Sequence, residues 1–335
     1  MGGNFLKKLF LMLLGAIFLC FLFPIFFTNQ FLSKPTTTDV PKQNAESQNY
    51  DYKNFNIVKL LHADSGEIEE IPLDTYLYNV VSAEMPADFE IEALKAQAIV
   101  ARTYTVYKAN TNQLKHGEAN ICDKSTCCQA WISKEDRLAK WGEDVSQTNW
   151  EKIVNAVDST KGKIITYEGQ PINAFFHSNS GGTTEIPLNV WGGSGYPYLQ
   201  TVETVGEDAY SQYSSEVEYT QEELLQRLKD NFSNVEINFA IPEDIFILER
   251  TQSNRVQQVK FGSVTISGVE ARNIFQLKSA NFTIEQKEGK IKFKVIGYGH
   301  GVGMSQTGAD SLAKQGKTAE EIIKHFYTGV EIINY

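Results

Sequence analysis

VSAEMPADFEIEALKAQAIVARTY, residues 81–104, is the stretch that decides the fold of this 335-residue chain. It places Glu84 in a short break between two helical patterns, because Pro86 disfavours helix at the residue before it. Residues 75–82 predict a short helix before the break, and helical spacing of apolar residues predicts a long one over about 90–108. Apolar neighbours can desolvate a carboxylate in such a break, which raises its pKa toward the range of a general acid.

The rest of the chain mixes helical and strand patterns without a regular alternation, which is typical of the α+β class. Residues 110–140 show little periodicity. Short strand patterns predominate later, and residues 215–295 are predicted to form a smaller, strand-rich lobe beside a mixed helix and sheet region with a central cleft. Capping boxes predict the starts of two later helices, Thr220 with Glu223 and Thr318 with Glu321.

The N-terminus predicts a transmembrane helix. Residues 9–27 carry no charge, and this length of 19 residues is close to the roughly 20 that a helix needs to cross a hydrocarbon core. Two lysines precede the span and no small-residue cleavage site follows it, so we expect an uncleaved signal anchor with the remainder of the chain outside the cell membrane. The predicted organisation is an anchor at 1–30, a flexible tether at 31–52 and a catalytic region at 53–335.

The composition limits the range of partners. The chain has 31 basic and 41 acidic residues and a net charge of −10, and its lysines and arginines form no block. This distribution argues against a nucleic-acid partner, because phosphate binding needs clustered positive charge. A neutral, carbohydrate-rich substrate is compatible with it.

A cluster of cysteine and histidine is the next candidate site. His116, Cys122 and Cys128 lie within 13 residues, with Cys127 beside the last of them. Thiolate and imidazole are the preferred ligands of zinc, and one ion could organise such a loop. Cys127, water or a side chain from elsewhere could supply a fourth ligand. From spacing alone, a Cys122–Cys128 disulfide and a loop of unligated thiols remain alternatives.

Two polar motifs that contain glycine follow. FFHSNSGGTTE, residues 175–185, predicts either a turn whose hydroxyls bind its own backbone or a loop that a polymer can approach. GYGHGVGM, residues 297–304, fails the dinucleotide pattern, and its alternating glycines indicate close approach of a ligand or of a neighbouring loop. His300 within it is either a core histidine or a catalytic partner.

Three motifs in this order closely resemble the stage II sporulation protein D family: SAEMP at 82–86 with the following AQA and ARTY, HSNSGGTT at 177–184, and GHGVGMSQ at 299–306. The resemblance covers about residues 54–335. It implies a lytic transglycosylase anchored in the mother-cell membrane, which acts on peptidoglycan facing the forespore during engulfment. It also implies a preference for glycan strands stripped of stem peptides, and partnership with stage II sporulation proteins P and M.

The resemblance assigns the catalytic role to Glu84 and a structural zinc site to His116, Cys122 and Cys128. A histidine often stands in the family where this chain has Cys127, and a thiolate can replace it as a ligand. The residues expected to bind substrate lie in the three motifs: Lys95, Gln97, Arg102, Tyr104, His177, Ser178, Asn179, Ser180, Gly181, Gly182, His300, Met304, Ser305 and Gln306. Lys95 and Arg102, which share a helix face, could instead form a solvated or salt-bridged surface.

The expected mechanism uses one carboxylate. Neutral Glu84 would protonate the glycosidic oxygen between N-acetylmuramic acid and N-acetylglucosamine and then accept the proton of the muramyl 6-hydroxyl as that oxygen attacks C1. This role requires a raised pKa and therefore a cleft with apolar walls. Asp88, Glu90 and Glu92 are expected to cap helices or face solvent. A zinc-dependent amidase and a non-catalytic, wall-binding activator of another hydrolase are the alternative functions.

Overall fold

The computed structural model describes residues 52–111, 115–193 and 196–335. The predicted anchor, and residues 31–51 of the predicted tether, lie outside this part of the chain. Within it, no helix is both long enough and apolar enough to cross a membrane.

The described residues form a mixture of helices and short strands, as predicted for the α+β class. The helices are α1 (Leu73–Glu84), α2 (Ile91–Thr111), α3 (Lys134–Trp141), α4 (Glu143–Asp158), α5 (Pro187–Trp191), α6 (Gln221–Lys229), α7 (Gly268–Ile274), α8 (Gln306–Lys314) and α9 (Ala319–Phe326). The strands are β1 (Ile57–Leu61), β2 (Ile68–Pro72), β3 (Ile121–Cys122), β4 (Lys163–Tyr167), β5 (Gln170–Pro171), β6 (Phe176–His177), β7 (Ser214–Thr220), β8 (Ile245–Arg250), β9 (Val256–Phe261), β10 (Val264–Ser267), β11 (Phe282–Lys287), β12 (Lys290–Ile296), β13 (Met304–Ser305) and β14 (Glu331–Asn334).

The strands pair in several small sheets. Strand β1 pairs antiparallel with β2 and parallel with β3, and β4 pairs antiparallel with β5 and β14. The parallel pair β6 and β13 joins two segments that lie far apart in the sequence. Two antiparallel sheets, ordered β10-β9-β8 and β11-β12-β7, account for the remaining strands. Mixed pairing of this kind, with helices packed beside the sheets, is what distinguishes α+β from alternating α/β proteins.

Helix α2 is the centre of the main hydrophobic core. Most of its residues are buried, because α1, α4, α8, α9 and β4 pack around it. Its many alanines permit this close approach, and a helix covered on all sides carries apolar residues around its whole circumference. The predicted long helix is therefore confirmed, and the break before it sets the end of α1 beside this core.

Residues between 219 and 295 form a second hydrophobic core. Its centre is aromatic: the rings of Phe275 and Phe293 stack with centroids 4.9 Å apart, and Phe261 and Tyr219 pack around them. Both predicted capping boxes are present, at the starts of α6 and α9.

Helix α3 lies within the stretch for which the sequence shows little periodicity. It begins after Ser133, whose hydroxyl accepts the N–H of Asp136 at 3.1 Å. Five of its eight residues are charged and none is fully buried, so its apolar residues are too few for a helical period to be recognised from the sequence. It is nevertheless important for the site, because two of its side chains line the cleft described next.

Candidate active site

Glu84 is the last residue of α1 and lies in an open cleft of about 560 Å³. Met85 leaves the helix in an extended conformation, as Pro86 predicts, and this turn brings the half-buried Glu84 side chain to the cleft. The other residues that line it are Ala83, Met85, Pro86, Ala87, Asp88, Arg137, Trp141, Asn149 and Gln212. The wall therefore mixes apolar groups with one cation, one further carboxylate and two amides.

Two hydrogen bonds hold the carboxylate of Glu84. Its Oε1 accepts the backbone N–H of Ala130 at 2.5 Å, and its Oε2 accepts Nε2 of Gln306 at 3.2 Å. Burial raises the pKa of Glu84, and these two donors, which favour the ionised form, offset part of that effect. A raised pKa is the property that a general acid needs to hold its proton near neutral pH.

Gln306 comes from the third motif and is the first residue of α8. The hydroxyl of Ser305 caps this helix by accepting the N–H of Gly308 at 3.2 Å, which fixes the direction in which Gln306 leaves the chain. Among the described residues of the second and third motifs, Gln306 is the one that forms a hydrogen bond with Glu84.

The His/Cys loop forms a compact group of donors. The imidazole and sulfur atoms of His116, Cys122, Cys127 and Cys128 all lie within 4.8 Å of one another. Nε2 of His116 is 3.3 Å from Sγ of Cys128 and 3.8 Å from Sγ of Cys127. Four ligands of this kind around one tetrahedral zinc ion would lie about 3.5 to 3.8 Å apart, so the group fits that ion. The three cysteines are free thiols, so the alternative of a Cys122–Cys128 disulfide is not realised.

This loop continues directly into the residues that hold the carboxylate of Glu84 in place. Gln129, which follows Cys128, is buried and donates to the hydroxyls of Tyr76 and Thr105, both at 2.9 Å. Ala130 then donates to Glu84. The backbone that carries the metal-type donors thus sets the position of the carboxylate.

A buried carboxylate that the sequence motifs did not indicate ties the second motif to the third. Glu207 accepts the backbone N–H groups of Ser180 and Gly182 at 3.0 and 3.1 Å. It also accepts the hydroxyls of Ser305 and of Thr307, the latter at 3.0 Å. Glu207 begins a single 3-10 turn (Glu207–Ala209), which carries no distinctive sequence pattern, so only the tertiary structure identifies this role.

Most polar groups of the second motif bind other segments of the protein, whereas the turn interpretation predicted that its hydroxyls would bind their own backbone. The ring nitrogens of buried His177 contact the Val302 carbonyl at 3.1 Å and the Ser180 hydroxyl at 2.9 Å. Burial and nearby Arg255 lower the pKa of His177 to about 3, so its ring is neutral at physiological pH. The remaining members serve the same network: Ser178 accepts Thr307 N–H through its carbonyl, Asn179 donates to Thr307, Gly181 donates to Asn179, and Gly182 donates to Glu207.

A neighbouring loop accounts for the close approach predicted at the alternating glycines. Gly303 has a φ of +73°, and a Cβ placed there would lie 1.9 Å from the carbonyl oxygen of Phe175. Nδ1 of His300 accepts the N–H of Val302 at 3.0 Å, and burial holds the pKa of this imidazole well below its usual value. Met304 is fully buried, so this motif mainly serves packing.

The four candidates on α2 do not line the cleft. Lys95 pairs with Glu92 at 2.8 Å, which matches the salt-bridged alternative. Arg102 is fully buried and donates to the Thr160 carbonyl and to Asp74, so the structure gives it a packing role in place of the expected substrate contact. Buried Tyr104 packs on Phe175 and Phe176, and Gln97 is also buried, which keeps both from a substrate in this conformation.

The sequence motifs missed four residues of the cleft: Arg137, Trp141, Asn149 and Gln212. Arg137 and Trp141 are four residues apart on α3, and the Arg137 guanidinium carbon lies 4.7 Å from the centre of the Trp141 ring. The sequence signal that could have identified this pair was a tryptophan four residues after an arginine on an otherwise polar helix.

Comparison with known proteins gives consistent matches. Residues 62–167 match a family described as Stage II sporulation protein, and residues 198–303 match a domain of unknown function, DUF8618. The chain is 36% identical over 277 residues to Stage II sporulation protein D of Bacillus amyloliquefaciens, covering 82% of this chain and 78% of the relative. It is 36% identical over 266 residues to Stage II sporulation protein D of Bacillus subtilis (strain 168), covering 79% and 75%. It is also 28% identical over 308 residues to the Amidase enhancer of Bacillus subtilis (strain 168), covering 77% of this chain and 40% of that protein.

Proposed function

The chain belongs to the stage II sporulation protein D family, a family of sporulation proteins, and on this premise we propose that it is a lytic transglycosylase of peptidoglycan. The observation that carries the proposal is the half-buried carboxyl of Glu84, which lies in an open cleft and has a raised pKa. The cleft is accessible to a polymer, and the acid is held by two fixed donors.

The reaction proceeds on this carboxyl in two proton transfers. Protonated Glu84 gives its proton to the oxygen that links C1 of N-acetylmuramic acid to N-acetylglucosamine, and the C1–O bond breaks. The resulting carboxylate takes the proton of the muramyl 6-hydroxyl, and that oxygen forms a new bond to C1. The products are a 1,6-anhydro sugar and a free hydroxyl on N-acetylglucosamine, and Glu84 ends as it began.

The two donors to Glu84 fit this cycle. Ala130 N–H and Gln306 Nε2 stabilise the carboxylate that forms after the first transfer, while burial stabilises the acid before it. The two effects act on the pKa of Glu84 in opposite directions and burial is the larger, so the pKa is raised, as a group that must give and regain a proton requires.

A structural zinc ion at His116, Cys122, Cys127 and Cys128 is part of the proposal. When bound, such an ion would cross-link the loop that precedes Ala130. Four side-chain donors would complete a tetrahedral site, which favours this role over that of a zinc-dependent amidase, since a catalytic zinc keeps one position for water.

The anchor at residues 1–30, a location facing the forespore, engulfment as the process and partnership with stage II sporulation proteins P and M are further parts of the proposal. They come from the family and from the 19 uncharged residues near the N-terminus. The similarity to the Amidase enhancer supports a second candidate, a wall-binding protein that stimulates another hydrolase.

The test uses the purified full chain in detergent on peptide-free glycan strands. Mass spectrometry should find anhydro-muramyl ends, and Glu84→Gln should bind the strands without producing them. Hydrolytic products heavier by one water would contradict the transglycosylase. Binding without any product, together with stimulation of an added amidase, would support the activator.

A further inference from the structure

Arg137 lies in the cleft with Glu84 and has no acidic partner within the part of the chain that the structure describes. It lines the same cavity, and its guanidinium rests on the ring of Trp141. Among the described residues no carboxylate forms an ion pair with it, and its buried Nε has no hydrogen-bond partner. Burial lowers its pKa, yet a guanidinium remains charged at physiological pH. In the described ranges, this cation therefore rests on an aromatic ring and has no hydrogen-bond acceptor.

The Nε atoms of Arg102 and Arg255 are also buried without a hydrogen-bond partner, but the other arginines of the chain differ from Arg137 in their remaining contacts. Each of them donates at least one hydrogen bond to a protein acceptor, and the two most buried make several: Arg102, Arg227, Arg250, Arg255 and Arg272. A partly buried guanidinium without such bonds is costly unless a ligand supplies the acceptor. This contrast indicates that the N–H donors of Arg137 are available to bind a ligand that enters the cleft.

Glu84 is not that acceptor. The groups that lower the pKa of Glu84 are Ala130 and Gln306, and Arg137 is not one of them. A direct ion pair would in any case stabilise the carboxylate and remove the neutral acid that the reaction needs. The arrangement therefore separates the acid from the cation within a single cleft.

The planar fork of a guanidinium is suited to a carboxylate, which it can bind through two parallel hydrogen bonds. A glycan of alternating N-acetylglucosamine and N-acetylmuramic acid has one ionisable group per disaccharide, the lactyl carboxyl of the muramic acid. In a strand that carries stem peptides this carboxyl is bound in an amide and is neutral. It becomes an anion when the peptide is removed.

We propose that Arg137 is a specificity-determining residue of the cleft, which binds the free lactyl carboxylate of a muramic acid residue and thereby produces the preference for peptide-free glycan that the family resemblance implies. This inference rests on the proposed function, because it takes the glycan strand as the ligand. Trp141 is a positioning residue in it, since its ring fixes the plane of the guanidinium.

The test measures binding to a soluble peptide-free glycan fragment, using the full chain in detergent with Glu84→Gln, so that the ligand is not consumed. A second fragment has its lactyl carboxyls converted to methylamides. We expect Arg137→Gln to weaken binding of the first fragment at least tenfold and to leave binding of the methylamide unchanged. For the protein that retains Arg137, converting the carboxyls to methylamides should weaken binding by the same factor. The effect of the substitution and the effect of the methylamide should therefore not add.

Lys140→Gln is the matched control, because it removes the same charge from the exposed side of α3 and should bind both fragments as the parent does. Two results would overturn the inference. One is that Arg137→Gln weakens binding of both fragments equally, and the other is that the parent protein binds the methylamide as tightly as the carboxylate. Tighter, Arg137-dependent binding of a peptide-bearing fragment would also overturn it, since the carboxylate would then come from the peptide. If Arg137→Gln fails to fold, the comparison of the two fragments on the parent protein decides alone.

Binding and turnover separate the two proposals. Anhydro products from the protein with intact Glu84, without any preference for the carboxylate, would sustain the transglycosylase and reject the role of Arg137. An Arg137-dependent preference for the carboxylate without anhydro products would sustain the role of Arg137 and reject the transglycosylase.

Discussion

The backbone N–H of Ala130 donates to Oε1 of Glu84 at 2.5 Å, two residues after Cys128. The candidate acid is therefore held by the same loop that carries the four metal-type donors. A disturbance of that loop should reach the cleft without any contact between a metal ion and the substrate.

Removal of the proposed zinc ion should destabilise the protein first and reduce activity as a consequence. Burial and the neighbouring thiols raise the pKa of Cys128, so its thiolate forms readily only with a cation present. We expect a chelator, or Cys122→Ala, to lower the melting temperature and the bound zinc together. Chelated Glu84→Gln should show the same fall in melting temperature. An unchanged melting temperature with lost activity would instead indicate a catalytic ion.

Glu84→Gln should lose activity by about 10²- to 10⁴-fold, the usual contribution of a general acid. It should also be more stable than the parent at neutral and alkaline pH. The folded-state pKa of Glu84 is raised, so its contribution to stability is complete below the unfolded pKa and is lost as pH rises through the folded one. Denaturant unfolding at several pH values checks this, and a stability difference that grows toward acid pH would contradict it.

Gln306→Met should move the alkaline limb of the kcat/KM profile to higher pH. Gln306 donates to Glu84 and lowers its pKa, so loss of the donor leaves burial less opposed. Gln315→Met, at the other end of α8, is the control and should leave the limb in place. A limb that stays fixed or moves downward in Gln306→Met would show that Glu84 does not set it.

Asp88→Asn should retain activity within about threefold if a single carboxylate carries the reaction. Asp88 is exposed but lines the cleft, so it is the second acid that a two-carboxylate glycosidase would use. Glu90→Gln, which changes an exposed acid nearby, is the control. A loss above about 100-fold in Asp88→Asn alone, together with hydrolytic products, would identify a hydrolase.

Glu207→Gln should reduce the free energy of unfolding by about 2 to 4 kcal/mol. The amide replaces one acceptor oxygen with a donor that faces other donors, namely Ser180 N–H, Gly182 N–H and the hydroxyls of Thr204, Ser305 and Thr307. Asp208→Asn changes the exposed neighbouring acid and should stay within about 0.5 kcal/mol of the parent. Equal stability of the two variants would show that the network contributes little.

Features that depend on a few consecutive residues could be predicted. The break at Pro86, the long helix after it, and both capping boxes follow from local backbone preferences and from spacing along a helix. The grouping of His116 with three cysteines is likewise local, since all four lie within 13 residues. Helix α3 was missed because its apolar residues are too few for a helical period to be recognised from the sequence.

Roles that depend on contacts between distant segments could not be predicted in this way. Arg102 belongs to a recognisable motif, yet helix packing directs it into the core to meet Asp74 and backbone carbonyls. Arg137 belongs to no motif, yet the position of α3 brings it into the cleft.

The sequence by itself determined that Glu84 ends a helix and that a compact group of zinc-type donors follows it, because short-range sterics and spacing decide such features. Only the tertiary structure decided what surrounds the carboxyl: Ala130 lies 46 residues away and Gln306 lies 222 residues away along the chain. The pKa of an acid depends on its solvation and on its hydrogen-bond donors, and both are set by how α1, α3 and α8 pack.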